Sequence, residues 1–82
     1  MIVLENHSYA QTVGNPNLPT LNRLAKTYGL AANYYGVAHP SLPNYVAMIA
    51  GDTFGSRADD PSQRFNGPTL AGQLEAKGLS WR

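Results

Sequence analysis

Two polar segments of this chain carry side chains that could bind a metal ion or attack a substrate. They are residues 5–8, Glu-Asn-His-Ser, and residues 39–44, His-Pro-Ser-Leu-Pro-Asn. A serine hydroxyl such as that of Ser41 is a weak nucleophile and needs a base or a metal ion to activate it. Glu5 and Asn6 offer hard oxygen donors of the kind a divalent cation prefers. A metal ion bridging Glu5, Ser41 and the substrate would activate the serine and polarise a phosphoryl group.

The surroundings of Ser41 favour an anionic substrate. A helix is predicted to follow Ser41 closely, and the start of a helix presents unpaired N–H groups and the positive end of its dipole. Phosphate groups bind well at such a place. Asn44 adds a neutral amide that could donate to a phosphoryl oxygen, and His39, the first residue of the same segment, is a further substrate-binding candidate.

These residues also have ordinary structural interpretations. A serine and an asparagine before a helix commonly cap it or form a turn, because both satisfy unpaired N–H groups. The Glu5-Asn6 pair could be a solvated loop start, and a single histidine such as His39 is more often structural or exposed. Asp59-Asp60 is interpreted as a solvated loop pair. Spacing alone favours these structural interpretations over chemistry.

Composition narrows the class of protein. The chain has 82 residues, which predicts one domain or less. Hydrophobic residues make up 43% and charged residues 13%, about half the usual ~25%. The net charge is +1 with no basic run, so nucleic-acid binding has no electrostatic support. Cysteine is absent, which excludes thiol catalysis and disulfides within the chain. Neither a signal peptide nor a membrane span is recognisable.

Three helices are predicted from apolar spacing and from proline and glycine. Leucine, alanine and tyrosine recur with helical period across residues 19–28, which begin with Pro19 and precede Gly29. A second helix is predicted to open at Pro43 and to close at Gly51. A third is predicted to start at Pro68 and Thr69 and to stop at Gly78. Residues 6–17 and 52–67 are predicted to be loops.

Three apolar stretches predict strands. They cover residues 2–4, 30–37 and 79–81. The order β-α-β-α-α-β favours an α/β fold with a partial parallel sheet and flanking helices. In such sheets ligands gather at the carboxyl ends of the strands. The segments 5–8 and 39–44 each follow a predicted strand, so they would meet if the two strands were neighbours.

The same segments resemble a known family. Residues 3–9, Val-Leu-Glu-Asn-His-Ser-Tyr, resemble the opening of the phosphoesterase family that includes bacterial acid phosphatases and phospholipase-C-like enzymes, within the alkaline phosphatase superfamily. Residues 34–45 resemble that family's nucleophile segment, and are similar also to the Thr-Phe-Pro-Asn segment of nucleotide pyrophosphatases. Residues 65–70 and 73–75 fit the same family. The resemblance covers essentially the whole chain.

The resemblance implies a set of roles. Ser41 would be the attacking residue, and Glu5, Asn6 and Ser41 would bind a divalent metal ion. Asn44 would contact the phosphate of a phosphate-ester substrate, with His39 beside it. Further acidic and histidine ligands of the family lie far downstream.

It also implies an architecture. Residues 1–82 would be the N-terminal fragment of a single phosphoesterase catalytic domain, within an alkaline-phosphatase-like three-layer fold. The fragment alone would be inactive without the missing C-terminal portion of its domain, and the parent would be secreted or periplasmic. The alternative is a non-enzymatic small α/β module that binds an anion or a protein partner.

Overall fold

A computed structural model describes residues 1–82, and its regular structure is entirely helical. The four helices are α1 (Tyr9–Thr12), α2 (Pro19–Tyr28), α3 (Ser41–Ala50) and α4 (Leu70–Ala76). The chain divides into two compact units. Met1–Tyr34 holds α1 and α2, and Tyr35–Arg82 holds α3 and α4.

The predicted α/β fold with a partial parallel sheet is wrong, and so is its assignment to a three-layer alkaline-phosphatase-like fold. Residues 2–4, 30–37 and 79–81 form no strand. Ile2 is 88% exposed and Tyr34 is 84% exposed, so these stretches are not covered as strands of a buried sheet would be. A strand exists only when a neighbour completes its hydrogen-bond ladder, and an apolar run cannot supply that neighbour.

Helix α2 confirms the predicted helix over residues 19–28. Pro19 occupies its first position, where the missing N–H costs nothing. Of the predicted inward face, Leu21 and Ala25 are half-buried, whereas Leu24 and Tyr28 are exposed. The apolar period therefore predicted the helix correctly, although only part of its apolar face is shielded from solvent.

Helix α3 begins at Ser41, two residues before the predicted start at Pro43. It ends as predicted at Gly51, whose φ of 76° is left-handed and therefore suits glycine. The ring of Pro43 is fully buried. No hydrophobic side chain of the kind that usually builds a core is buried to this degree, so Pro43 is the best-covered point of the chain.

Helix α4 confirms the third predicted helix, although it begins at Leu70 and not at Pro68 and Thr69. It follows Thr69, whose hydroxyl oxygen accepts a hydrogen bond from the Gly72 N–H at 3.1 Å and so caps the first turn. None of the four helices has the length and apolarity that crossing a membrane requires.

The two predicted loops have different outcomes. Residues 6–17 contain the short helix α1, where the Ser8 N–H donates to Oε1 of Gln11 at 2.9 Å. Residues 52–67 contain no helix or strand, as predicted. This second loop is held by local turns and by stacking of Phe54 on Phe65, whose ring centroids lie 5.9 Å apart.

Candidate functional site

Ser41 is the first residue of α3 and is half-buried. The residue in the N-cap position is Pro40, and the Ser41 hydroxyl makes no capping hydrogen bond to α3. No other hydrogen bond involves this hydroxyl. Its oxygen therefore remains free for another partner, and the capping interpretation of Ser41 is wrong.

Asp59 supplies the cap instead. Oδ1 of Asp59 accepts a hydrogen bond from the N–H of Leu42 at 2.7 Å, across 17 residues of sequence. Pro40 and Pro43 carry no N–H, so two of the donors usually left unpaired at a helix start do not exist here. The carboxylate thus satisfies one of the two remaining donors, beside Ser41.

Sequence reasoning missed this function of Asp59, which it treated as a solvated loop residue. Asp59 belongs to the irregular segment 52–67, where its side chain has no local partner. A bond between residues so far apart leaves no periodic or turn signal in the sequence. The flanking prolines were the only available hint that α3 would need few caps.

Asn44 lies in the first turn of α3 and binds the backbone that precedes the helix. Its Oδ1 accepts from the N–H groups of Val37 and Ala38 at 2.8 and 3.2 Å. Its Nδ2 donates to the carbonyl oxygens of Ala38 and Pro40 at 2.7 and 3.0 Å. In this arrangement both amide hydrogens of Asn44 are engaged within the chain, and a contact from Asn44 to phosphate stays a prediction.

His39 is exposed and lies two residues before Ser41, within the segment 37–40 that Asn44 binds. Its backbone neighbours on both sides, Ala38 and Pro40, are bound by Asn44. The imidazole takes part in no hydrogen bond. Its predicted contribution to substrate binding stays a prediction.

Glu5 and Asn6 belong to the other unit, Met1–Tyr34, and both are exposed. Glu5 lines a depression of about 350 Å³ within that unit, together with residues from the start of α2 and from the segment before it. Neither side chain makes a hydrogen bond or an ion pair. Their oxygens are therefore not committed to other partners.

The donor set of Glu5, Asn6 and Ser41 fits a divalent cation chemically. It offers a carboxylate, an amide carbonyl and a hydroxyl, which are hard oxygen ligands, and none of the three is consumed by a hydrogen bond. No group of three or more histidine, cysteine, aspartate or glutamate side chains is arranged to hold a metal ion. The sheet edge that was expected to join residues 5–8 to residues 39–44 is absent, and their joint metal site stays a prediction.

Comparison with known proteins gives one consistent family. The model described as "Phosphoesterase family" matches residues 15–82. A phosphatidylinositol-3-phosphatase of Mycobacterium tuberculosis is 44% identical over 82 residues, 99% of this chain and 27% of that protein. A phosphate-repressible acid phosphatase of Penicillium chrysogenum is 41% identical over 81 residues, 98% of this chain and 19% of that protein.

A further acid phosphatase, from Aspergillus fumigatus, is 39% identical over 79 residues. The chain spans 17 to 27% of the length of these curated relatives while matching them over nearly all of its own length. No solved structure matches the chain.

Proposed function

This chain belongs to the phosphoesterase family, and we propose that the protein carrying it hydrolyses phosphoric esters with Ser41 as the attacking residue. The family match covers Ser41 and the whole of α3. The relatives named as acid phosphatases and as a phosphatidylinositol-3-phosphatase support a phosphate-ester substrate.

The hydroxyl of Ser41 carries the proposal. It stands at the start of a ten-residue helix and is neither a cap nor a donor to any other group of the chain. Because Asp59 already binds the Leu42 N–H, the structural need that usually explains a serine in this place is met by another residue. A nucleophile has to be free in this sense before a substrate binds.

The reaction would proceed in two displacements at phosphorus. The Ser41 oxygen forms a bond to phosphorus, the bond between phosphorus and the leaving alcohol breaks, and the alcohol leaves with the proton that the Ser41 hydroxyl gives up. Water then attacks the phosphoserine, which releases inorganic phosphate and restores the hydroxyl of Ser41. The Ser41 N–H, the one donor at the start of α3 that the prolines and Asp59 leave unpaired, and the positive end of the helix dipole favour the negative charge on the phosphoryl oxygens.

Glu5, Asn6 and Ser41 would hold a divalent metal ion, whose identity the donor set does not fix beyond a preference for oxygen ligands. When bound, the ion supplies charge that favours the alkoxide form of Ser41 and polarises the phosphoryl group. The free carboxylate of Glu5 and the free amide oxygen of Asn6 support this assignment.

The test is turnover of para-nitrophenyl phosphate by the whole protein, as its gene encodes it, with and without Ser41→Ala. Loss of turnover by a factor of about 10⁴ or more is expected if Ser41 is the nucleophile. The matched control is Ser80→Ala, an exposed serine outside the helices. A Ser41→Ala protein that turns over at the normal rate would refute the assignment of Ser41 as the nucleophile. Absence of turnover by the unchanged whole protein would instead favour the non-enzymatic anion-binding alternative.

A trapping experiment identifies the attacking atom. Acid quenching during turnover of a phosphate ester should leave a phosphoryl group on the peptide that contains Ser41, detected by mass spectrometry. A phosphoryl group found on another residue would show that this residue, and not Ser41, is the nucleophile. The same assay with a phosphatidylinositol phosphate in place of the soluble monoester decides between the two substrate classes named for the relatives.

The metal assignment has its own test. Dialysis against a chelator should abolish turnover, and re-addition of divalent ions one at a time should restore it. Glu5→Gln should weaken metal binding measured by calorimetry, because the amide lacks the charge that a divalent cation prefers. If calorimetry gives the same metal affinity for the variant and for the unchanged protein, Glu5 is not a metal ligand.

A further inference from the structure

We propose that Asn44 and Gly36 together form a clamp that positions Ser41 through the backbone of residues 37–40. The clamp consists of the Asn44 amide, residues 37–40 and the space above Gly36. The inference rests on the proposed role of Ser41 as nucleophile, and it gives Gly36 and Asn44 a positioning role that the resemblance does not imply.

The hydrogen-bonding capacity of the Asn44 side chain is fully used. An asparagine amide has two donor hydrogens and an oxygen with two lone pairs. Its oxygen accepts from Val37 and Ala38, and its two hydrogens go to the carbonyls of Ala38 and Pro40. A phosphate could reach this amide only by displacing an existing bond.

Gly36 leaves the room that this arrangement needs. A Cβ added to Gly36 would stand 2.9 Å from Oδ1 of Asn44, closer than real side chains pack. Gly36 does not have a positive φ, so space and not backbone conformation is what requires glycine here. Oδ1 cannot simply move aside, because two N–H groups hold it on one side of the amide and two carbonyls hold the other.

The clamp links the residues before Ser41 in the sequence to a residue that follows it. It binds residues 37–40 immediately before Ser41, and Asn44 itself lies three residues after Ser41 in the same helical turn. The backbone on both sides of the hydroxyl is thereby fixed by a single side chain. Displacing a reacting group by about 1 Å can cost roughly 100-fold in rate, so a loosened clamp should be visible in turnover.

The other unit contains a natural control. Asn22 is the fourth residue of α2, as Asn44 is the fourth residue of α3. Its Oδ1 accepts from the Gly14 N–H at 2.8 Å, and its Nδ2 donates to the Asn15 carbonyl at 2.7 Å. Asn22 therefore ties the preceding loop to a helix with the same chemistry, but no candidate nucleophile stands at the start of α2.

The experiment uses the whole protein with Asn44→Ala, Gly36→Ala, the double variant and Asn22→Ala. Each of the two clamp variants should lower kcat by about 10- to 100-fold with little change in KM, because the clamp acts on the position of the nucleophile. The double variant should be no slower than Asn44→Ala, since removing the amide also removes the obstacle to a Cβ at position 36. Asn22→Ala should leave kcat within about twofold, because Asn22 binds Gly14 and Asn15 and makes no bond to residues 37–40.

Hydrogen exchange provides a readout that does not depend on chemistry at Ser41. The Val37 and Ala38 N–H groups should exchange faster in both clamp variants, and at the unchanged rate in Asn22→Ala and Ser41→Ala. If Asn44→Ala does not fold, Asn44→Asp replaces it. That variant keeps an oxygen for the two N–H groups but turns the donor into an acceptor facing the Ala38 and Pro40 carbonyls, so it should show the same loss in kcat.

Three outcomes would overturn the clamp. A rise in KM with unchanged exchange at residues 37–38 would make Asn44 a direct phosphate contact. Full additivity of the two losses would mean that Gly36 and Asn44 act separately. Faster exchange with unchanged kcat would leave a structural clamp without a positioning role. Retained activity in Ser41→Ala is a different result, which refutes the proposed nucleophile and leaves the exchange data to judge the clamp.

Discussion

The cap that Asp59 places on α3 leads to a quantitative prediction. Replacement of Asp59 by alanine removes the only side-chain acceptor of the Leu42 N–H, while it leaves both prolines and Ser41 unchanged. The N–H would then depend on water. Replacement by asparagine keeps an oxygen in the same position and removes only the charge.

The magnitude follows from the contact. The distance of 2.7 Å is at the short end for a bond to a carboxylate. Such bonds contribute about 1.5–3 kcal/mol where they are shielded, but this one is exposed, so water competes for both partners. Loss of a helix cap typically costs about 1 kcal/mol. We expect Asp59→Ala to destabilise the start of α3 by about 1–1.5 kcal/mol. Asp59→Asn should cost about 0.5 kcal/mol, because it loses only the interaction of the carboxylate charge with the helix dipole.

Amide hydrogen exchange of Leu42 in the whole protein is the direct assay. A loss of 1–1.5 kcal/mol corresponds to exchange that is faster by about 5- to 12-fold. The control is Asp52→Ala, because Oδ1 of Asp52 accepts only from the Phe54 N–H two residues away, at 2.8 Å. This control should leave the exchange of Leu42 unchanged.

The reasoning would be refuted by unchanged Leu42 exchange in Asp59→Ala. It would also fail if Asp52→Ala accelerated Leu42 as much, because the effect would then come from the charge of the loop and not from the bond. A result in which Asp59→Asn equals Asp59→Ala would assign the stabilisation to charge alone.

Two further predictions concern the loop 52–67. The Ser56 hydroxyl is buried without a hydrogen-bond partner, so Ser56→Ala should be neutral or stabilise the protein by up to about 1 kcal/mol in urea unfolding; a clear loss of stability would show that the hydroxyl is bonded. Hydrogen bonds from the Ser62 hydroxyl and the Ser62 N–H hold the pKa of the Asp60 carboxyl below its ordinary value. The stabilisation from Asp60 is therefore present above the pKa of the unfolded chain and is lost as the pH falls through the lower folded pKa. Ser62→Ala should raise the pKa of Asp60 in an NMR titration, and an unmoved titration would contradict the assigned cause.

The helices were predictable because their signals are local. Pro19 and the period of residues 19–28 identified α2 without any tertiary information. Gly51 and Gly78 marked the ends of two more helices in the same way. The short helix α1 was missed because its four residues show no apolar period and its one sequence signal is the Ser8–Gln11 pair at its start.

The sheet was predicted wrongly because strand formation depends on pairing with a segment elsewhere in the chain. Residues 2–4 and 30–37 have the apolar and aromatic content of strands, but their backbone groups find no neighbouring strand. Whether an apolar run pairs into a sheet depends on a second segment at a suitable distance and register. No pattern within the run itself contains that information.

In the candidate site, too, some features were predictable from the sequence and others depend on the tertiary structure. Sequence by itself determined the family, the residue types at positions 5, 6, 41 and 44, and the helix that begins beside Ser41. Only the tertiary structure decided that Asp59 caps α3 and that Asn44 is committed to residues 37–40, so that the Ser41 hydroxyl is left free. The physical reason is that the chemistry of a side chain is fixed by its type, whereas its partners are fixed by which distant atoms the fold brings within hydrogen-bonding distance.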